Sequence, residues 1–259
     1  MDSQVERVFV TTSRQNDIFW MRVVAMVGSL PCCTSTLTWK NWSRSLGLDY
    51  ATSHVARKNI ESLGLDKVTC YDTDLLSDLQ HLGTFDFIYC QEVLHHTSNA
   101  ERGFHNLCQL LNPDGYIAIY VYKKKAPARE FVDDFMREKI SQLTYDEAFA
   151  VSEQITEFGR TLHELDTEIE LPQIEILEIP SGTYTVQRLI YHFFMKCFWN
   201  PDLSYKENVI TNYDWYHPQD ATRHTLDEVR GWFKNNSLDI IHECVDHYGI
   251  TVRGTQSSR

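Results

Sequence analysis

The chain is short of positive charge. Its 259 residues carry 24 Lys and Arg against 36 Asp and Glu, a formal net charge of −12. Such a surface repels phosphate backbones, so no nucleic-acid partner is expected. The one dense basic run, Lys123-Lys124-Lys125, reads most simply as a solvated strand end. Long apolar runs are missing too: no stretch reaches the 18 or so residues a membrane span needs, so no membrane partner is expected. The start, MDSQVERVFV, has no basic segment followed by an apolar one, which predicts a soluble, cytoplasmic protein. Seven cysteines form no C-x-x-C pair, and an odd count without a framework predicts reduced thiols. Cys70, Cys90 and Cys108 lie in apolar runs and read as small core residues, while nothing near Cys32-Cys33 marks them as reactive. No H-x-x-x-H occurs, and His95-His96, adjacent in a loop, chelate poorly, so no metal site is expected. Internal repeats and low-complexity tracts are absent as well. Nothing in the sequence fixes the oligomeric state.

What is present is an ordinary globular composition, 42% hydrophobic and 23% charged, at a length that suits one domain with an insertion. The chain is organised around Thr84–Tyr122. Phe85–Tyr89 reads as a buried strand. Ser98 or Asn99 can cap a helix whose apolar residues Phe104, Leu107, Leu110 and Leu111 share one face. Asn112-Pro113-Asp114-Gly115 stops that helix, Gly supplying the positive φ of a sharp turn. Tyr116–Tyr122 then runs apolar on both faces, as a strand covered on both sides must. The result is one β-α-β unit, right-handed as such crossovers are. Upstream, Val23–Val27 reads as a first buried strand and Leu46–Tyr50 as the end of a second. Thr52 or Ser53 caps a helix to about Leu63, and Asp66–Tyr71 makes a third strand. Asp49 stands at a strand's carboxyl end, the edge that faces the ligand crevice.

FDFIYCQEVLHHT followed by LNPDGYIAIY resembles the class I S-adenosylmethionine-dependent methyltransferases in their fourth and fifth strands, and the likeness covers residues 46–122 best. It implies an α/β fold, a Rossmann-like doubly wound seven-stranded sheet with a mostly helical insertion. It also implies S-adenosylmethionine as cofactor and a small-molecule methyl acceptor. Carried onto this chain, the family's cofactor site falls on Gly28, Asp49, Tyr50, Asp74, Leu75 and Gln91. Asp49 would hold the ribose hydroxyls and Asp74 the adenine amino group, with Asp72 and Asp78 as rivals; Gln91 would act through its backbone. The family's first motif is an acid followed by G-x-G-x-G. Here Gly28 takes the first glycine's place, Leu30 and Cys32 stand where the others belong, and Met26 replaces the acid. Gly28 still precedes Asp49 by 21 residues, the usual separation. Preserved length with altered residues suits either a loop that has lost cofactor binding or a pair of compensating frameshifts. An inactive methyltransferase-fold protein is therefore the alternative function. A nicotinamide-dependent enzyme ranks last, since G-x-G-x-x-G does not follow the first strand.

Methyl transfer needs alignment and dryness more than a fixed catalytic set. Where the acceptor must lose a proton, His96 and then His95, directly after the fourth strand, are the candidate bases, with Glu92 in the same loop. Tyr216, His224 and Arg188 are the candidate acceptor contacts, in surroundings rich in aromatic residues that suit a planar or anionic group. The expected division is 1–122 for the first part of the core, 123–212 for a helical cap and 213–259 for the closing part. In the cap, helices are expected from Pro127 to Gln142, carrying Phe131, Phe135 and Ile140, and from the capping box Thr144-x-x-Glu147 to about Leu165. An extended run over Ile174–Ile179 and a buried aromatic helix over Val186–Trp199 should follow. Thr225-x-x-Glu228 opens a last helix with Val229, Trp232 and Phe233 inward. Two strands, Leu238–Cys244 and Tyr248–Val252, close the sheet, the last one antiparallel.

Overall fold

The computed structural model describes residues 7–11, 45–50, 53–66 and 68–256. In chain order its elements are β1 (Arg7–Thr11), β2 (Ser45–Asp49), α1 (Ser53–Ser62), β3 (Val68–Asp72), β4 (Phe85–Gln91), α2 (Ala100–Cys108), β5 (Leu111–Tyr122), α3 (Pro127–Ile140), α4 (Tyr145–Glu164), β6 (Glu168–Leu171), β7 (Gly182–Thr185), α5 (Val186–Phe193), α6 (Tyr205–Tyr216), α7 (Leu226–Asn235), β8 (Leu238–Val245) and β9 (Gly249–Gln256). They form two compact units: Met1–Lys123 with Thr222–Arg259, and Lys124–Ala221.

In the first unit one sheet runs β3-β2-β1-β4-β5-β9-β8. The first five strands pair parallel, and β9 runs antiparallel to both β5 and β8. The order reverses between β1 and β4, which opens a crevice at the carboxyl ends of those strands. The position between β2 and β4 is filled by Arg7–Thr11, whereas the sequence pointed to Val23–Val27 for the first strand. RVFVT is as rich in β-branched residues as VVAMV, so composition alone does not rank the two. Val23–Val27 and Gly28 lie outside the described residues.

The β-α-β unit forms as its pattern dictates. Asn99 caps α2, its side chain accepting the Arg102 amide at 3.0 Å. Phe104, Leu107, Leu110 and Leu111 enter one core with Leu46, Leu48, Ile88, Ile117, Ile119, Val121, Ile250 and Val252. The turn differs in detail. β5 begins at Leu111, which pairs with Phe85, and the extra residues are absorbed in a register shift. The left-handed backbone falls on Asp114 (φ 62°) rather than on Gly115. Gly115 is required for close approach instead, because a Cβ there would meet the Asn112 carbonyl oxygen at 2.8 Å.

The second unit holds α3–α6 and a small antiparallel pair, β6 with β7. Helix α3 occupies nearly its expected span and buries Ile140, but most of its polarity is inverted. Phe131 is 77% exposed and Phe135 58%, while Arg129, Asp133 and Arg137, spaced four apart on one face, are buried. Capping boxes close the starts of α4 and α7 as expected, and Ser204 with Glu207 forms a third at α6. Helix α6 runs across residue 212 and belongs wholly to the second unit. Two expectations are corrected. Ile174–Ile179 is not a strand but a short 3-10 turn, Glu175–Leu177, bracketed by a bridge between Ile174 and Ile179. The helix expected to reach Trp199 ends at Phe193. Beyond it, side-chain acceptors capture the backbone donors: Lys196 N–H goes to Asp133 Oδ1, Phe198 N–H to Asn212 Oδ1 and Asn200 N–H to Asn208 Oδ1, at 2.7–3.0 Å. Each such bond removes a donor that helix continuation would need.

Among the described cysteines Cys244 is exposed and the others are buried. Burial pushes the Cys70 thiol up to about 11, with the Asp49 charge adding to it, and the Cys197 thiol up to about 12. It raises Cys90 and Cys108 in the same direction. Iodoacetamide at about pH 8 attacks thiolates, so Cys244 should be alkylated in the native protein while the other four react only after denaturation. Peptide mass mapping checks this; modification of Cys70 or Cys197 in the folded chain would contradict it.

Candidate functional site

The parallel strands bring several candidate residues to one edge of the sheet. Thr11 pairs with Asp49 and Asp49 with Asp72, so the ends of β1, β2 and β3 are level. Asp49 is 1% exposed, and its carbonyl accepts the Thr73 amide at 3.2 Å, which fixes the chain leaving β3 against the end of β2. Its charge also contributes to raising the Cys70 thiol. Tyr50, next along, is 72% exposed. Asp74 is half-buried and its Oδ1 accepts the Leu76 amide at 2.9 Å, an Asx turn. Its rivals Asp72 and Asp78 are exposed, and Asp78 spends Oδ1 on the Gln80 amide. The Leu75 side chain is taken up by the core, while its carbonyl accepts from Asn106.

At β4, Gln91 is half-buried and accepts from the Tyr89 hydroxyl. Glu92 follows with φ 61°, a left-handed backbone on a non-glycine residue at the crevice edge. Such strain costs of order 1–3 kcal/mol and tends to collect at functional sites. It swings the chain into a 3-10 turn, Leu94–His96.

The two histidines of that turn differ. His95 is fully buried and stacks on Tyr122 with centroids 3.5 Å apart. The Tyr122 amide donates to its Nδ1 at 3.2 Å, which assigns the proton of the neutral ring to Nε2. His96 is half-buried and lies edge-on to His95 at 4.5 Å and to Tyr122 at 5.5 Å. His224 joins this cluster. Its amide donates to the Tyr122 carbonyl at 2.8 Å, and its Nε2 lies 3.0 Å from Thr222 Oγ1. Thr222, overlooked in the sequence, also donates its amide to the His95 carbonyl at 2.8 Å. No local pattern marks it, because its His95 partner lies 127 residues away.

The other two candidates sit in the second unit. Tyr216 is not a pocket surface. Its fully buried hydroxyl donates to Asp133 Oδ1 at 2.7 Å and lies 2.9 Å from the Lys196 carbonyl. Burial, with the Asp133 charge adding to it, holds that phenol well above its usual value. Arg188 lies in the first turn of α5 over the Tyr191 ring, 5.6 Å from its centroid. Among the described residues no group of His, Cys, Asp or Glu side chains could hold a metal ion. No described helix is long and apolar enough to cross a membrane.

Residues 34–117 match a family model described as a methyltransferase domain. With the strand order, this gives the chain the class I methyltransferase fold that its fourth and fifth strands resembled. A solved structure of PKMT2 from Rickettsia typhi is similar over 82% of this chain and 43% of its own, at 14% identity and a TM-score of 0.51. An O-methyltransferase family protein from Burkholderia thailandensis gives 16% identity over the same shares, with a TM-score of 0.41. Magnesium protoporphyrin IX methyltransferase from Synechocystis PCC 6803, solved with bound SAH, gives 13% identity over 82% of this chain and 63% of its own, with a TM-score of 0.39. The chain thus spans less than half the length of the first two. No protein of curated function matches it by sequence.

Proposed function

We propose that the chain is an S-adenosylmethionine-dependent methyltransferase acting on a small-molecule acceptor, in the cytoplasm. The observation that carries this reading is Asp49, a buried carboxylate at the carboxyl end of β2, one strand from the reversal between β1 and β4. The methyltransferase-domain match over residues 34–117 supports it. The residues fit the adenosyl end of the cofactor. Asp49 can accept from both ribose hydroxyls, and Asp74 keeps one carboxylate oxygen beyond the Asx turn for an exocyclic amine. When bound, the cofactor supplies an electrophilic methyl carbon. The chain's own task is to orient the acceptor and keep water out. His96, the more accessible histidine, is the proposed base for an acceptor that must lose a proton. His95 is a positioning residue, clamped between the Tyr122 amide and the Thr222 amide. Gln91 would present its backbone to the cofactor. His224 would face the acceptor from the same cluster.

Calorimetry with S-adenosylhomocysteine tests this. The wild-type chain should bind, and Asp49→Ala should weaken binding by about 1–3 kcal/mol, roughly 5- to 150-fold in Kd. An unchanged Kd would show that the ribose site is misplaced. The alternative, an inactive methyltransferase-fold protein, is favoured by the sequence that follows β1, in which residues 12–27 hold no glycine. It would be established by no detectable heat at ligand concentrations on the order of 1 mM.

A further inference from the structure

We propose that the outer face of α3, with the 3-10 turn Glu175–Leu177 beside it, docks a basic amphipathic segment of a partner protein. Phe131 and Phe135, which periodicity would turn inward, stand one helical turn apart on the exposed side of α3. The inner side is taken by Arg129, Asp133 and Arg137, so the two rings are turned out. The turn Glu175–Leu177 lies against the same helix, and its Ile176 is 83% exposed. Single apolar residues on a surface are ordinary, but two aromatic rings and an isoleucine on neighbouring elements make a patch. Interfaces are centred on such large, stiff rings and rimmed by polar groups.

Charge decides the occupant. Residues 124–221, the second unit, carry 18 Asp and Glu against 9 Lys and Arg. Glu175 and Glu178, with Gln173, Ile179, Pro180 and Ser181, line an open hollow of about 360 Å³. Both carboxylates are exposed, and neither joins an ion pair among the described residues. The Phe135 ring already receives a cation, since Lys139 Nζ lies 5.6 Å from its centroid. A second copy of the chain would bring acidic surface to acidic surface, and an anionic membrane would be repelled in the same way. A segment with Lys or Arg beside Leu-like side chains suits both features. Its apolar side covers Phe131, Phe135 and Ile176, and a cation enters the hollow that the two glutamates line. This surface stands whether or not the chain transfers a methyl group.

The test titrates the full chain into a fluorescein-labelled peptide about four helical turns long, Leu on one face and Lys on the other, and follows anisotropy. Saturation with a Kd on the order of 10 μM is expected, weakening as sodium chloride is raised. The counterpart peptide with Glu for Lys should bind about tenfold more weakly or worse. Phe131→Ser with Phe135→Ser should weaken binding of the Lys peptide about tenfold, and Glu175→Lys with Glu178→Lys about as much. All four positions are exposed, so the circular dichroism of both variants should match that of the parent. The assignment is overturned by absence of saturation at about 1 mM chain, by equal affinity for the two peptides, or by a parent-like titration in either variant. A dimer in sedimentation velocity that the Phe variant loses would give the face to a second copy instead. Flotation with neutral phosphatidylcholine vesicles, abolished in the same variant, would give it to a membrane. Either result overturns the assignment.

Discussion

Replacing Asp133 by Ala should cost about 3–5 kcal/mol of stability, the range for stranding one side of a buried ion pair. Four donors converge on this carboxylate from α3, α6 and the segment after α5. Its removal leaves Arg129, itself 2% exposed, without its ion-pair partner, and frees the Tyr216 hydroxyl and the Lys196 amide in the same interior. Asp133→Asn should cost less, since one oxygen still accepts, but its amide would face donors on the other side. Urea denaturation gives the magnitudes, and hydrogen exchange should locate the loss in α3, α5 and α6. A cost below about 1 kcal/mol for the Ala variant would mean that aromatic packing, not the carboxylate, holds these elements.

This network was hard to read in the sequence, and the reason is physical. Hydrophobic periodicity says which face of a helix is apolar, and on α3 it favours Phe131 and Phe135. The helix instead buries Arg129, Asp133 and Arg137, because their partners Trp215, Tyr216 and Lys196 arrive from 63 to 83 residues away. Only the four-residue spacing of the charges was local, and surface ion pairs share that spacing. The early end of α5 has the same origin, since Asp133, Asn208 and Asn212 take its successors' amides. The start of α6 was within reach: Ser204-x-x-Glu207 is the same signature that marked α4 and α7. The place of Asp49 at the end of β2 was legible because a strand's carboxyl end is a local property of the chain. The clamp on His95 was not, as neither the Tyr122 amide nor Thr222 carries any pattern that points to it.

Where periodicity alone governs, the expected result is large as well. Phe104→Ala should destabilise the first unit by about 3–5 kcal/mol, the range for deleting a buried phenylalanine side chain. Phe104 is fully buried, with ring centroids 4.8 Å from Phe233 and 6.0 Å from Trp232, so it joins α2 to α7. Relaxation into the cavity is restricted on the far side. Phe233 already lies against the β9 backbone, where a Cβ added at Gly254 would meet its ring at 2.7 Å. Phe104→Leu keeps most of the volume and should cost distinctly less. The change also bears on the candidate site, because the His224 ring lies edge-on to Trp232 at 4.7 Å. Loosening Trp232 should let that ring move, so the His224 resonances in an NMR spectrum of Phe104→Ala should shift or broaden while those of His192, on α5 of the second unit, stay in place. Equal perturbation of both would mean that the two units do not answer separately to their own cores.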